Sequence, residues 1–109
     1  MSEARLLVNA TPILATIQPL LRPLQELLRQ EARRHGLATL KIEVGEFTDP
    51  EEGDHRVVVR QWVQAPAQQA LAYWDDLETP IQAWIESLPE AIRPLANQIT
   101  LSIRWTAYA

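Results

Sequence analysis

Residues 38–64 decide the fold, and they read ATLKIEVGEFTDPEEGDHRVVVRQWVQ. On both sides of the loop TDPEEGD, apolar side chains recur at every second position, a period that indicates two strands buried on one face each. The short connection predicts that the two strands pair antiparallel. Gly45 indicates a bulge, after which Phe47 is out of phase. The side chains expected to face the core are Leu40, Ile42, Val44, Val57, Val59 and Val63.

A helix is predicted before this ribbon, from Thr11-Pro12 to Gly36. A threonine followed by a proline is a typical helix start, because the N–H that proline lacks would be unpaired in the first turn anyway. Between these ends, apolar residues recur at steps of three and four and form one stripe. Pro19 and Pro23 interrupt the stripe, so we expect a kink or a regular helix that begins only near Pro19. Gly36 follows basic side chains and is the residue expected just after the last turn.

A second helical stripe runs from residue 67 to residue 88 and keeps its phase across Pro80. Thr79 resembles a new N-cap with Gln82 three residues later, so the segment is either one kinked helix or two coaxial pieces. Beyond it, the alternation at residues 99–106 predicts a last strand with one face in the core. The side chains that these stripes place in the core include Leu71, Trp74, Leu77, Trp84 and Trp105.

Residues 5–8, with the sequence RLLV, complete the predicted set of elements. We interpret them as a strand because a helix start follows at Thr11, and a first helical turn is the alternative. The resulting order is β-α-β-β-α-β, in which two helices cover one face of a mainly antiparallel sheet. This two-layer α+β order resembles the ferredoxin-like, or split β-α-β, arrangement. The resemblance is one of architecture, and it implies no function.

Length and composition fit one domain that spans residues 1–109. The chain has no cysteine, which excludes disulfides and thiolate chemistry and fits a reducing compartment, so we expect a cytoplasmic protein. No apolar run approaches the length of a transmembrane helix, so we expect no membrane association. The net charge of −4 argues against nucleic-acid binding. The strand HRVVVRQW also lacks the motif of RNA-recognition domains.

Several clusters of residues resemble sites but are better explained as ordinary structure. The acids between Glu46 and Asp54 lie close together, but they lack the ligand spacing of an EF-hand, so we interpret a charged hairpin loop. His35 and His55 do not have the spacing of a paired metal site and are expected at a helix end and a strand end. The sequence has no nucleophile elbow and no glycine-rich phosphate loop. We therefore predict no catalytic residue, no metal and no cofactor.

The sheet face opposite the helices is the most informative predicted surface. Arginine and tryptophan are among the residues that most often dominate protein interfaces, and arginines also bind anions. A solvated face, on which arginine stems cover Trp62, explains the same pattern equally well. The candidate interface or ligand-binding residues are Lys41, Arg56, Arg60, Trp62 and Arg104, accompanied by Glu43 and Val58.

Two functions remain open from the sequence. The first is a non-enzymatic protein-interaction domain, as a homodimer or a small subunit of a complex, that uses the outer sheet face. The second is a binder of an anionic small molecule, or a small enzyme acting on one. In that case Arg56, Arg60 and Arg104 would hold the anion, with His55 available to move a proton. We favour the first, because no catalytic constellation accompanies the arginines.

Overall fold

The computed structural model of this protein describes residues 12–48, 51 and 55–107. These residues form an α+β fold in which helices pack on one face of a three-stranded sheet. No helix among them is long and apolar enough to cross a membrane. The helices are α1 (Pro12–Arg34), α2 (Ala67–Asp76), α3 (Glu78–Ser87) and α4 (Arg93–Ala96), and the strands are β1 (Ala38–Thr48), β2 (His55–Gln64) and β3 (Ile99–Thr106).

The sheet has the order β1-β2-β3 and is mixed. β1 and β2 pair antiparallel, as their short connection predicts. β2 and β3 pair parallel, so the expectation of a mainly antiparallel sheet is wrong for this second pair. The physical reason lies in the connection. α2, α3 and α4 return the chain to the end of the sheet where β2 begins, and a helical crossover of this kind makes the next strand parallel to its neighbour.

The ferredoxin-like order is not confirmed, because the described residues form three strands. A split β-α-β unit leaves a place for another strand between its two parallel strands. Here β2 and β3 are direct neighbours from Val57, opposite Ile99, to Gln64, opposite Thr106. The strand that we predicted at residues 5–8 lies outside the described residues.

The bulge of β1 lies at Leu40 and not at Gly45. The register with β2 shifts between Thr39 and Lys41, and Leu40 between them is 42% exposed. The prediction that Leu40 faces the core is therefore wrong, because the extra residue of a bulge is displaced from the alternation. Gly45 lies opposite Val58 in regular pairing.

α1 is one helix from Pro12, so the start signal at Pro12 is confirmed and a start near Pro19 is wrong. Pro19 and Pro23 both lie on the exposed side of the helix. The carbonyl that Pro23 leaves without a donor is that of Pro19, where water can reach it. The other side of α1 buries a stripe that holds the helix on the sheet, formed by Ile17, Leu20, Leu21, Leu24 and Leu28.

α1 ends in a Schellman motif, and the role predicted for Gly36 is confirmed. Gly36 has a φ of +72°, in the left-handed region that favours glycine. Its N–H donates to the carbonyl oxygen of Arg33 at 2.9 Å, and the N–H of Leu37 donates to that of Ala32 at 2.8 Å. Leu37 and Ala32 are both buried, so the turn that ends the helix also closes one end of the core.

The helical segment after β2 divides at Leu77 into α2 and α3. The N-cap predicted at Thr79 is wrong, because Leu77 precedes the first residue of α3 and no side chain caps the helix. Thr79 and Pro80 both lie in the first turn of α3. A proline is tolerated there, since the N–H groups of the first turn have no intrahelical partner.

The side of α2 that faces the core is rotated from the predicted one. Tyr73 is fully buried, whereas Leu71 and Trp74 are 51% and 37% exposed. Their predicted placement in the core is therefore wrong. Trp84 and Trp105 are half-buried and pack against the core, as their stripes predict.

A polar network inside the core joins α1 and α2 to the sheet. The side chain of Gln61 is fully buried, and its Nε2 donates to the carbonyl oxygen of Leu28 at 3.1 Å and to Oγ1 of Thr39 at 2.9 Å. The hydroxyl of Tyr73 lies 2.7 Å from Oε1 of Gln61 and 3.0 Å from the Leu28 carbonyl oxygen. Burial raises the pKa of Tyr73 above its ordinary value, so the phenol stays protonated and donates.

His35 joins the C-terminal ends of α1 and α2. Its Nδ1 lies 2.9 Å from the carbonyl oxygen of Glu31, and its Nε2 lies 3.1 Å from Oδ2 of Asp76. Both ring nitrogens face acceptors, and only the doubly protonated ring can donate to both. The hydrogen bond to the Glu31 carbonyl and then the one to Asp76 raise the pKa of His35 above its ordinary value.

We expect this link to stabilise the fold more at about pH 6 than at about pH 8.5. Because the folded-state pKa of His35 is raised, the stabilisation is fully present below the unfolded-state pKa and is lost as the pH rises through the folded-state pKa. Solvent screening of a partly exposed pair limits the effect to about 0.5 kcal/mol. Urea unfolding of the wild type and of His35→Gln at both pH values measures it. An equal difference at the two pH values would contradict the prediction.

Candidate functional site

Every second side chain of the three strands points away from the helices and forms the outer face of the sheet. In β2 these side chains alternate with four residues that are fully buried against the helices. The pairing register brings all five side chains that the sequence singled out to this face. The outer face consists of Lys41, Glu43, Gly45 and Phe47 of β1, Arg56, Val58, Arg60 and Trp62 of β2, and Thr100, Ser102 and Arg104 of β3.

One end of the outer face is a row formed by Lys41, Trp62 and Arg104 across the three strands. Nε1 of Trp62 donates to Oε1 of Glu43 at 2.7 Å, which fixes the indole against β1. Nζ of Lys41 lies 5.2 Å from the centre of the indole ring and 3.8 Å from Oε2 of Glu43. The carboxylate of Glu43 is therefore already engaged by two partners within the chain.

The other end of the outer face carries Phe47 and Arg56, which lie opposite each other on β1 and β2. Nη1 of Arg56 donates to Oγ1 of Thr100 at 3.4 Å, a long hydrogen bond. The side chain of Phe47 is 52% exposed. An aromatic ring exposed to this extent beside an arginine is typical of the central residues of protein interfaces.

Arg60 lies at the centre of the outer face, opposite Glu43 on β1 and Ser102 on β3. Its Nε is buried and has no hydrogen-bond partner among the described residues. A buried donor without an acceptor costs about 1–3 kcal/mol.

A hollow of about 310 Å³ opens on the outer face beside Arg60. Its lining includes Gly45 and Val58, which pair with each other across β1 and β2. Gly45 leaves open the space that a side chain would take, since a Cβ there would have no heavy atom of the described residues within 4 Å. We name this feature the Gly45 hollow, and it is lined by Glu43, Val44, Gly45, Glu46, Phe47, Val58 and Arg60.

The three arginines of the outer face do not converge on one pocket. Arg56 and Arg60 are four residues apart along β2, which separates their Cα atoms by about 13 Å. Arg104 belongs to the row of Trp62, beyond Arg60. Of the three, only Arg60 lines the Gly45 hollow. The arrangement spreads the cations over a surface and does not gather them around a small anion.

The outer face is basic although the chain is acidic. Four of the ten cationic side chains of the chain lie on this face, with one of its fourteen acids. The face therefore carries a charge of about +3, while the whole chain carries −4. Such a separation of charge attracts a negatively charged surface and raises the rate at which it docks.

A second hollow, of about 420 Å³, lies between α2, α3 and β3 and was missed from the sequence. The exposed side chains of Leu71 and Trp74 stand at its rim with the acids Asp75 and Glu78. The helical stripe placed Leu71 and Trp74 inside the core, so no exposed surface was expected there. Two apolar side chains next to two acids would have indicated this hollow only if the side of α2 that faces the core had already been known.

The side chains that the structure describes do not assemble a metal site. No group of three histidine or carboxylate side chains among them could hold a metal ion. His35 is engaged by Glu31 and Asp76. The predicted hairpin loop falls mostly outside the described residues, as does the side chain of His55.

The outer face thus combines an exposed phenylalanine, a fixed indole, a central arginine with an unpaired donor and a net positive charge. Comparisons of the chain with protein-family models, with curated proteins and with solved structures find no match.

Proposed function

We propose that this domain is a protein-interaction module that binds its partner through the outer face of the sheet. The observation that carries the proposal is the outer face itself, which no helix of the described chain covers and which presents Phe47, Val58 and Trp62 among arginines. An antiparallel or mixed sheet commonly leaves one face to solvent, but that face is then polar. Here the aromatic side chains of Trp62 and Phe47 lie at its two ends, and Val58 lies between them.

The charge of the outer face favours a different protein as the partner over a second copy. If two copies stacked face to face, two surfaces that each carry a charge of about +3 would meet. Like charges that meet in an interface weaken binding. A homodimer through this face would need the arginines to interleave. If the domain is a small subunit of a complex and docks on an acidic surface, the acids of that surface pair with the same cations directly. The homodimer is the alternative, and sedimentation distinguishes it from binding to a different protein.

An anionic small molecule is less well supported as the ligand. Only Arg60 reaches the Gly45 hollow, and the same hollow is lined by the carboxylates of Glu43 and Glu46. Arg56 and Arg104 lie too far along the sheet to grip the same small anion. A broad thermal-shift screen with anionic metabolites would favour this function if one of them stabilised the wild type and not Arg60→Ala.

We expect Arg60→Glu combined with Trp62→Ala to weaken association at least tenfold, about 1.4 kcal/mol. The substitutions reverse the central charge and remove the indole, and neither side chain belongs to the core. Sedimentation velocity measures self-association. Native purification from the source cells, with mass spectrometry of stoichiometric partners, measures binding to another protein.

The matched control is Arg29→Glu combined with Trp74→Ala, which makes the same changes at exposed residues away from the outer face. This control should keep the association of the wild type. A wild type that sediments as a monomer and yields no stoichiometric partner would contradict the proposal. So would a complex that both double variants retain.

A further inference from the structure

The helical segment between β2 and β3 is strongly acidic. From residue 65 to residue 92 the sequence has five acids and no lysine, arginine or histidine. The segment therefore carries a charge of −5, on the side of the sheet opposite the basic outer face. A surface of this charge attracts a cationic partner. All five acids are exposed, and they are Asp75, Asp76, Glu78, Glu86 and Glu90.

Two of these acids line an apolar hollow that the proposed function does not use. We name the hollow of about 420 Å³ between α2, α3 and β3 the α2–α3 hollow. Its lining residues on the two helices are spaced three or four residues apart, and Leu77 between the helices keeps helical dihedral angles. These residues therefore share one side of the helical segment. The lining includes four apolar side chains and two acids, namely Leu71, Trp74, Ile81, Leu101, Asp75 and Glu78.

The carboxylates of Asp75 and Glu78 have no cation beside them within the described part of the chain. Neither forms an ion pair there, whereas Asp76 lies 3.1 Å from Nε2 of His35. Asp75 also lies in the last turn of α2, which holds no basic residue. A carboxylate is unfavourable at this end of a helix, because the main-chain carbonyl groups point there. A residue that opposes the local preference of its helix often serves a function.

The charges that line this hollow all have the same sign. No lysine, arginine or histidine is among the described residues that line it. The Gly45 hollow differs, since the carboxylates of Glu43 and Glu46 line it together with Arg60. The α2–α3 hollow therefore combines apolar walls with a purely acidic rim, a combination that fits an occupant with an apolar side chain beside a cation.

We propose that the α2–α3 hollow is a second docking site, which binds a basic segment of a partner protein. An apolar side chain of the segment packs against Leu71, Ile81 and Leu101, and a neighbouring lysine or arginine pairs with Asp75 and Glu78. The stem of that cation lies over the indole of Trp74, whose face attracts positive charge. The inference goes beyond the proposed function, because this site does not use the outer face.

The form of the hollow favours a protein segment over a small organic cation. Leu71 and Trp74 are exposed although they line the hollow, so it is open to solvent. A small-molecule site commonly buries about 70% or more of its ligand, which an open hollow does not do. A protein segment extends beyond the hollow and adds contacts with the acidic surface around it.

Selection from a displayed library of short random peptides, with the wild-type protein as the target, tests the inference. We expect the enriched peptides to carry lysine or arginine next to an apolar residue. A labelled copy of the most enriched peptide is then titrated with each variant by fluorescence polarisation. Asp75→Asn combined with Glu78→Gln should lower its affinity at least tenfold, because the substitutions keep the shape of both side chains and remove their charge. Trp74→Ala should lower the affinity as well.

The matched control is Glu86→Gln combined with Glu90→Gln, which removes the same charge from exposed positions of the same segment outside the hollow. It should leave the affinity unchanged. Arg60→Glu combined with Trp62→Ala should also leave it unchanged, so this site and the proposed function can fail separately. In native purification, the Arg29 and Trp74 double variant should lose the partner of the hollow and keep the partner of the outer face.

Four outcomes of the peptide experiment would overturn the inference: no enrichment, enriched peptides without cations, an Asp75 and Glu78 double variant that binds as well as the wild type, or an equal loss in the Glu86 and Glu90 control. Leu6→Ser combined with Leu7→Ser should leave the affinity unchanged. A tenfold rise in that variant would identify residues 1–11 of the chain as the occupant and also overturn it. So would self-association of the wild type that the Asp75 and Glu78 double variant abolishes, since the occupant would then be a second copy.

Discussion

Replacing Gln61 with leucine is expected to lower the free energy of unfolding by about 2–3 kcal/mol. Gln61 is fully buried in the middle of β2, and it is hydrogen-bonded to residues of three other elements. Leucine has a similar volume, so the loss comes from hydrogen bonds and not from a cavity. The substitution leaves Oγ1 of Thr39 without its donor and removes the acceptor 2.7 Å from the Tyr73 hydroxyl.

The loss is limited by a second acceptor that Tyr73 retains. Its hydroxyl lies 3.0 Å from the carbonyl oxygen of Leu28, so it can still donate after the substitution. That carbonyl oxygen lies inside α1, so it also accepts the intrahelical N–H four residues later and is not left without a donor. Without this alternative acceptor, an orphaned phenol would add to the cost.

Denaturant unfolding of the wild type and Gln61→Leu measures the effect. The control is Gln64→Leu, which makes the same change at an exposed position of the same strand and should shift the free energy by no more than about 0.5 kcal/mol. A double-mutant cycle that combines Gln61→Leu with Tyr73→Phe should show that their effects on the free energy of unfolding are not additive, because the two side chains share a hydrogen bond. A loss for Gln61→Leu as small as that of the control would contradict the prediction.

The burial of Gln61 could be read from the sequence, but its partners could not. Gln61 stands in phase between Val59 and Val63, so the period of two that placed the valines in the core also places the amide there. Tyr73 is three residues after Ala70 and four before Leu77, a spacing that fits one helix side. Their meeting depends on how α2 rotates over the sheet, and the apolar stripe alone favoured Trp74.

The composition of the outer face followed from strict alternation, whereas its hollow did not. Lys41, Arg60 and Trp62 share a side because the side-chain period of a strand is fixed. The Gly45 hollow depends on which residue of β2 stands opposite Gly45, and that is set by the regular register that runs from Thr48, opposite His55, to Lys41, opposite Trp62. A bulge is decided by packing at the sheet edge and leaves a weak signal in the sequence, so Gly45 was taken for the bulge itself.

Replacing Pro19 and Pro23 with alanine is expected to raise the free energy of unfolding by about 2–3 kcal/mol for the two together. Each alanine restores a main-chain N–H inside α1 and removes the clash of a proline ring with the preceding turn. Both prolines are exposed, so little packing is lost. The gain is smaller than the helix-interior cost of two prolines, since alanine also makes the unfolded chain more flexible.

The matched control is Pro12→Ala, at the first residue of α1, where a restored N–H has no partner within the helix. It should leave the free energy of unfolding unchanged or slightly lower. Thermal unfolding of the three proteins measures the difference, with circular dichroism to confirm that the helix content is retained. A pair of alanines no more stabilising than Pro12→Ala would contradict the prediction.

The cost of the two prolines is also the reason why the sequence predicts a later start of α1 than the structure shows. An interior proline costs about 3 kcal/mol, while each fully buried leucine or isoleucine contributes about 1.5–3 kcal/mol. Ile17 and Leu20 are buried on the side of α1 opposite the prolines. A helix that began only at Pro19 would leave Ile17 outside it and expose part of that stripe, so the chain keeps the longer helix with both prolines on its exposed side. Alanine at both positions removes the cost of the prolines and keeps the buried stripe.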